Sequence, residues 1–160
     1  MSSITKAKSN AGKAKAPSRI AQGLNQVLAD TYALMAMSHH AHWNIEGDGF
    51  FALHAAFEEQ YTNLFQAADE IAERARALDA YAVGGLKAMA KMANMDEMEA
   101  PAPQKDYVAA LVEANEKTVK DLRKVKDLAG DEGDSETEDL LIARIQYHEK
   151  TLWMLKSYLK

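Results

Sequence analysis

The chain has 160 residues, 48% of them hydrophobic, a net charge of −5 and no cysteine. That length suits one domain with a real core. The missing cysteines exclude disulfides, thiolate catalysis and cysteine-held zinc or iron–sulfur sites, leaving nitrogen and oxygen as the expected metal ligands. No apolar run reaches the length of a membrane span. The polar start, with no apolar segment behind it, is not expected to be a secretory signal.

Charge is unevenly spread. Lys6, Lys8, Lys13, Lys15 and Arg19 stand in a stretch without acids, so the body beyond residue 19 carries the opposite, larger charge. Residues 1–17 are mostly Ser, Ala, Lys, Gly and Asn and end at Pro17. They read as a disordered basic tail, because they bury too little apolar surface to offset ordering. Residues 18–160 form the folded domain. Ser18 can cap a first helix, whose apolar positions Ile20, Leu24, Val27, Leu28 and Leu34 recur at helical spacing out to about Asn44. Glu46 to Gly49 is a turn cluster. A second helix covers about Phe50 to Leu78, with Leu53, Phe57, Tyr61, Leu64 and Ile71 on its apolar face. Val83 to Met92 can form a short helix in the connection. Pro101 and Pro103 precede a third long helix, about Gln104 to Leu128, and Asp134 or Ser135 can cap a fourth reaching Tyr158. No strand-like alternation occurs. The pattern is all-α: a four-helix bundle with one long crossover carrying a short helix.

The chemistry concentrates between His39 and Arg74. Glu58 follows His54 by one turn, and Glu73 follows Asp69 in the same way. His42 ends the first helix, where the turn can return it over His54 and Glu58. Imidazole and carboxylate together suit iron, manganese or zinc. The two pairs, His54/Glu58 and Asp69/Glu73, lie about 22 Å apart along one helix yet face broadly the same way. One ion cannot span that distance. Two copies packed antiparallel about a two-fold axis near Asn63 bring one copy's first pair onto the other's second pair, giving two equivalent intersubunit sites. The plainer alternative is a solvated face in which Asp69, Glu70, Glu73 and Arg74 pair among themselves. His39 supports a ligand or is structural, and His148, alone on the last helix, reads as structural. No histidine has a glutamate three residues before it, so a di-iron centre of the Glu-x-x-His kind is not expected within one chain.

HAHWNIEGDGFFALHAAFEEQY, followed by ADEIAERARAL, resembles the Dps family, mini-ferritins named as DNA-binding proteins from starved cells. The similarity runs through His42 to Asn44, the Gly-x-x-Phe-Phe-x-Leu-His run ending at His54, the Asp-Glu-x-Ala-Glu-Arg run from Asp69, and more weakly to the C-terminus. It implies a ferritin-like bundle assembled as a hollow dodecamer. It also implies a ferroxidase centre at the two-fold interface, with His42 and His54 from one subunit and Asp69 and Glu73 from its neighbour. The family usually has Asp where Glu58 stands here; the longer side chain can still ligate. The resemblance further implies oxidation of Fe(II), preferably by hydrogen peroxide, storage of ferric mineral and protection of DNA, in the cytoplasm and at the nucleoid, with zinc an alternative occupant of the site. Trp43, beside His42, then quenches stray oxidising equivalents or simply packs an interface. Asp134 and Asp139 are the candidates for a cation-attracting three-fold pore, although negative charge at a helix start accounts for Asp134 equally well. Lysine tails in some members bind DNA; Lys6, Lys8, Lys13, Lys15 and Arg19 would do so here without base stacking, hence sequence-independently and with strong salt dependence. The alternative function is a nucleoid protein whose metal site is vestigial or zinc-filled.

Overall fold

The structure is a computed structural model and describes residues 17–160. Five helices follow one another: α1 (Arg19–Asn44), α2 (Phe50–Ala77), α3 (Leu86–Ala93), α4 (Gln104–Glu132) and α5 (Ser135–Tyr158). The expected tail, with Lys6, Lys8, Lys13 and Lys15, lies outside the described residues. Arg19, grouped above with those lysines, is instead the first residue of α1, and its guanidinium meets Glu132 at 2.6 Å.

Local chemistry sets the helix ends. Ser18 Oγ accepts from the Ala21 amide at 3.1 Å, and Asp134 caps α5 by accepting from the Thr137 amide at 3.0 Å. The short helix begins at Leu86 rather than Val83, because Gly85 precedes it with φ +85°, outside the helical region. α4 runs through Gly130 to Glu132 and stops only where Gly133 turns left-handed at φ 76°.

α1 and α2 form one antiparallel hairpin, and α4 and α5 the other. Contacts of Gly23 with Val125 and of His40 with Tyr107 run α1 against α4 in opposite directions. α2 and α4 are therefore parallel, which is why a long crossover must join them. α1 is the central helix, packed on α2, α4 and α3. At Gly23 an added Cβ would lie 2.7 Å from Val125 Cγ2, so this position lets α1 and α4 approach closely.

The core is in two parts. Leu24, Leu28, Ile71, Leu122 and Leu141 fill one end of the bundle; Leu34, Ile45, Phe57, Leu111 and Leu155 fill the other. Between them lies a polar layer that includes Asn115, Thr118, Arg144 and His148, all buried. Burying about a dozen large apolar side chains at roughly 1.5–3 kcal/mol each holds the bundle, and the polar layer is tolerated because most of its groups are hydrogen-bonded. No helix among the described residues is long and apolar enough to cross a membrane.

Candidate metal centre

The turn over residues 45–49 closes the α1–α2 hairpin tightly enough to place His42 directly on His54. Their ring centroids are 3.7 Å apart and nearly parallel, at 20°. The Nδ1 of His42 lies 2.8 Å from the His54 carbonyl, and the Nδ1 of His54 lies 2.9 Å from the His42 carbonyl. A carbonyl only accepts, so each Nδ1 carries the proton and donates. In the neutral form of each ring, this fixes the tautomer that leaves the Nε2 lone pair free. This is the arrangement that orients a histidine for a metal.

Rings extend on both sides of this pair. Phe50 stacks on His54 at 4.9 Å, and Tyr61 meets His42 edge-on at 5.2 Å. His39 stacks between Tyr61, at 3.9 Å, and Trp43, at 5.1 Å. Desolvation, then the neighbouring His42, lowers the His39 pKa. Tyr61 was read above only as an apolar helix position. Its place is visible in retrospect as seven residues beyond His54, two turns along one face.

Glu58 does not join the histidines. Among the described residues, no three His, Asp or Glu side chains gather into one metal-binding group. Glu58 is exposed on α2 beside Tyr61, whose phenol is raised by desolvation and by that carboxylate. Asp69 and Glu73 are also exposed, further along the same helix, and neither has an ion-pair partner among the described residues. The self-paired surface considered above is not what forms: Arg74 turns away from Glu70 and Glu73 to Asp134 at 2.6 Å and Thr137 at 2.8 Å. α2 thus carries two uncommitted carboxylates towards its C-terminal end and His54, stacked on His42 of α1, near its start. Phe51 and Phe65 of α2 are 87% and 64% exposed, and Trp43 of α1 is 70% exposed.

The pore candidates differ from each other. Asp139 is exposed. Asp134 is taken up by the cap, by Thr137 Oγ1 at 2.7 Å and by Arg74. Burial alone would raise its carboxyl, but the Thr137 hydrogen bonds and the Arg74 charge hold it below the ordinary range. The capping role foreseen for Asp134 is the one its geometry displays.

The other histidine with a protein partner is different in kind. His148 donates from Nδ1 to Asn115 Oδ1 at 2.8 Å, and Asn115 donates in turn to the Leu111 carbonyl at 2.7 Å. Burial, with the nearby Arg144 charge, pushes His148 down to about 3. A cation beside that guanidinium would be repelled.

Comparison with known proteins agrees with this architecture. Residues 21–160 match the family model of the ferritin-like domain. The chain is 37% identical over 139 residues to an uncharacterised low temperature-induced protein of Nostoc sp., covering 86% of this chain and 78% of that one. It is 32% identical to DNA protection during starvation protein 2 of Bacillus anthracis, covering 88% of this chain and 97% of that one. Among solved structures, the Dps protein of Vibrio cholerae O1 superposes with a TM-score of 0.86 at 33% identity, covering 95% of this chain and all (100%) of that chain. That protein is described as a member of a broad superfamily of ferritin-like diiron-carboxylate proteins. The five-helix order, the paired imidazoles on the α1–α2 turn and these similarities along nearly the whole domain make this chain a member of the Dps family, within the ferritin-like fold.

Proposed function

We propose that the protein oxidises and stores iron, binding Fe(II) between the His42/His54 pair of one copy and the Asp69/Glu73 pair of a second. The reciprocal His42–His54 hydrogen bonds carry this reading, because they leave two Nε2 lone pairs free and fixed beside each other. Two neutral nitrogens are too few ligands for a ferrous ion, and the uncommitted carboxylates about 22 Å away along α2 cannot reach them within one chain. An antiparallel second copy supplies what is missing and covers Phe51, Phe65 and Trp43, which are otherwise exposed. Repetition of such contacts gives the dodecamer expected of the family.

The donor set fits the reaction. Imidazoles bind Fe(II), and carboxylates stabilise the harder Fe(III) that forms. Hydrogen peroxide takes one electron from each of two ferrous ions and, with two protons, leaves as two waters, so no hydroxyl radical is released. Glu58 lies one turn from His54 and serves as a further carboxylate at the same edge. Trp43, joined to His42 through the His39 and Tyr61 rings, is placed to take up stray oxidising equivalents. Asp139 is the freer of the two acids for drawing cations toward a pore. DNA protection follows from removing Fe(II) and peroxide together. The basic tail would add direct, salt-sensitive DNA contacts.

Fe(II) and peroxide added to the assembled protein should give a ferric absorbance rise that His42→Ala with Asp69→Ala slows by about a hundredfold. An unchanged rate in that double variant removes the site. Mixing the two single variants is the sharper form: hybrid interfaces restore some intact sites only if the ligands come from different copies. The second reading, a nucleoid protein with a zinc-filled site, predicts salt-sensitive DNA retardation and little iron loading.

A further inference from the structure

The connection between α3 and α4 crosses the bundle with a cavity on each side, each of about 550 Å³. Met37, Met95 and Met98 line both cavities, as do Asp96 and Glu97. One of the two cavities is lined by five of the chain's eight methionines. Methionine is usually a gap-filler in cores. Here Met37, Met95 and Met98 pack against the core on one side and line open volume on the other. His40 lines the same cavity, three residues along α1 from Met37 and so on the same helix face. Its Nε2 is buried with no hydrogen-bond partner, which is costly unless something binds there. The Tyr107 hydroxyl is also buried and unpartnered, with its ring 6.1 Å from that of His40.

We propose that Met37, Met95, Met98 and His40 form a binding site for a soft monovalent cation, Cu(I), with donors distinct from those of the proposed iron site. The expectation of purely nitrogen and oxygen ligands came from the absence of cysteine; thioether sulfur was left out of it. Thioethers are soft, neutral donors that select Cu(I) over Fe(II), Mg(II) or Ca(II), and imidazole Nε2 completes such a set. Met95 and Met98 bracket Asp96 and Glu97, whose carboxylates draw a cation to the cavity wall and balance its charge. An apolar ligand would gain nothing from those acids, and a harder cation nothing from the sulfurs.

The test uses the full, assembled protein under anaerobic conditions, with Cu(I) supplied as its coloured bicinchoninate complex. The wild type should withdraw about one Cu(I) per chain, and X-ray absorption should show a sulfur-containing shell. Met37→Leu/Met95→Leu/Met98→Leu keeps the apolar volume and should weaken uptake by about tenfold or more, with unchanged assembly by size-exclusion chromatography. His40→Gln should weaken it as well and serves if the triple variant does not assemble. His42→Ala with Asp69→Ala should lose iron oxidation yet keep Cu(I) uptake, which separates failure of this site from failure of the iron site. Copper left on bicinchoninate, a shell of nitrogen and oxygen only, or undiminished uptake by the methionine variant would each overturn the proposal. The last two outcomes would mean adventitious binding at other imidazoles, with a water joining His40 to Tyr107.

Discussion

His42 and His148 carry the same side chain into opposite surroundings. Both donate from Nδ1 at 2.8 Å, His42 to a backbone carbonyl and His148 to Asn115. His42 lies at the bundle edge against a second imidazole, under an exposed helix face. His148 lies in the middle, 1% exposed, beside the Arg144 guanidinium. The hydrogen bond alone does not make a ligand. What decides is whether the opposite nitrogen faces further donors or a repelling charge. The edge adjoins exposed carboxylates on α2, whereas the interior resists charge of either sign.

The largest expected effect falls on the edge. His54→Ala should reduce Fe(II) oxidation about a hundredfold, while His148→Gln leaves it within about twofold. Equal losses would break the distinction between the two histidines. Stability should behave in reverse. His148→Leu leaves Asn115 without its donor and should cost about 2–3 kcal/mol in urea unfolding, against little for His54→Ala.

Asp30 shows the interior's resistance from the acidic side. Its side chain is fully buried, Lys117 Nζ is 2.7 Å from Oδ1, and Oδ2 has no partner. Burial raises its pKa to about 6, more than the Lys117 contact lowers it. Burial would also lower the Lys117 ammonium, but Asp30 and Asp121 raise it. The two shifts differ in meaning because Lys117 is partly exposed and Asp30 is not; the burial of Asp30 dominates. An acid whose folded pKa lies above its unfolded value holds its proton more tightly when folded, so stability falls as pH rises from about 4 to about 6. The wild type should lose about 2 kcal/mol across that window, and Asp30→Asn should flatten the slope. An equally steep slope in the variant would place the penalty elsewhere.

Asp134→Ala should cost about 1 kcal/mol through the lost cap of α5. Iron uptake should fall less in it than in Asp139→Ala if Asp139 is the pore carboxylate. The smallest effect is expected at Glu58→Asp, which shortens the side chain by one methylene and should change the oxidation rate by only about two- to threefold; a loss like that of His54→Ala would make Glu58 an obligatory ligand.

Much of this was legible in the residues. Helical periodicity, the turn at 46–49, Ser18 and the prolines placed the helices, because each signal acts within a few residues of itself. If His54/Glu58 and Asp69/Glu73 are ligands, their spacing calls for two copies, since rise per residue is a fixed property of the helix. Only the tertiary structure decided which polar groups were spoken for. Arg74 reaches sixty residues along the chain to Asp134 rather than to its helical neighbours. Arg19 joins the helix end at Glu132, and His42 and His54 lock each other's tautomers through backbone carbonyls. The two methionine-lined cavities likewise depend on where the crossover settles over α1 and α4. Such pairings depend on which helix faces meet, and no local spacing encodes that.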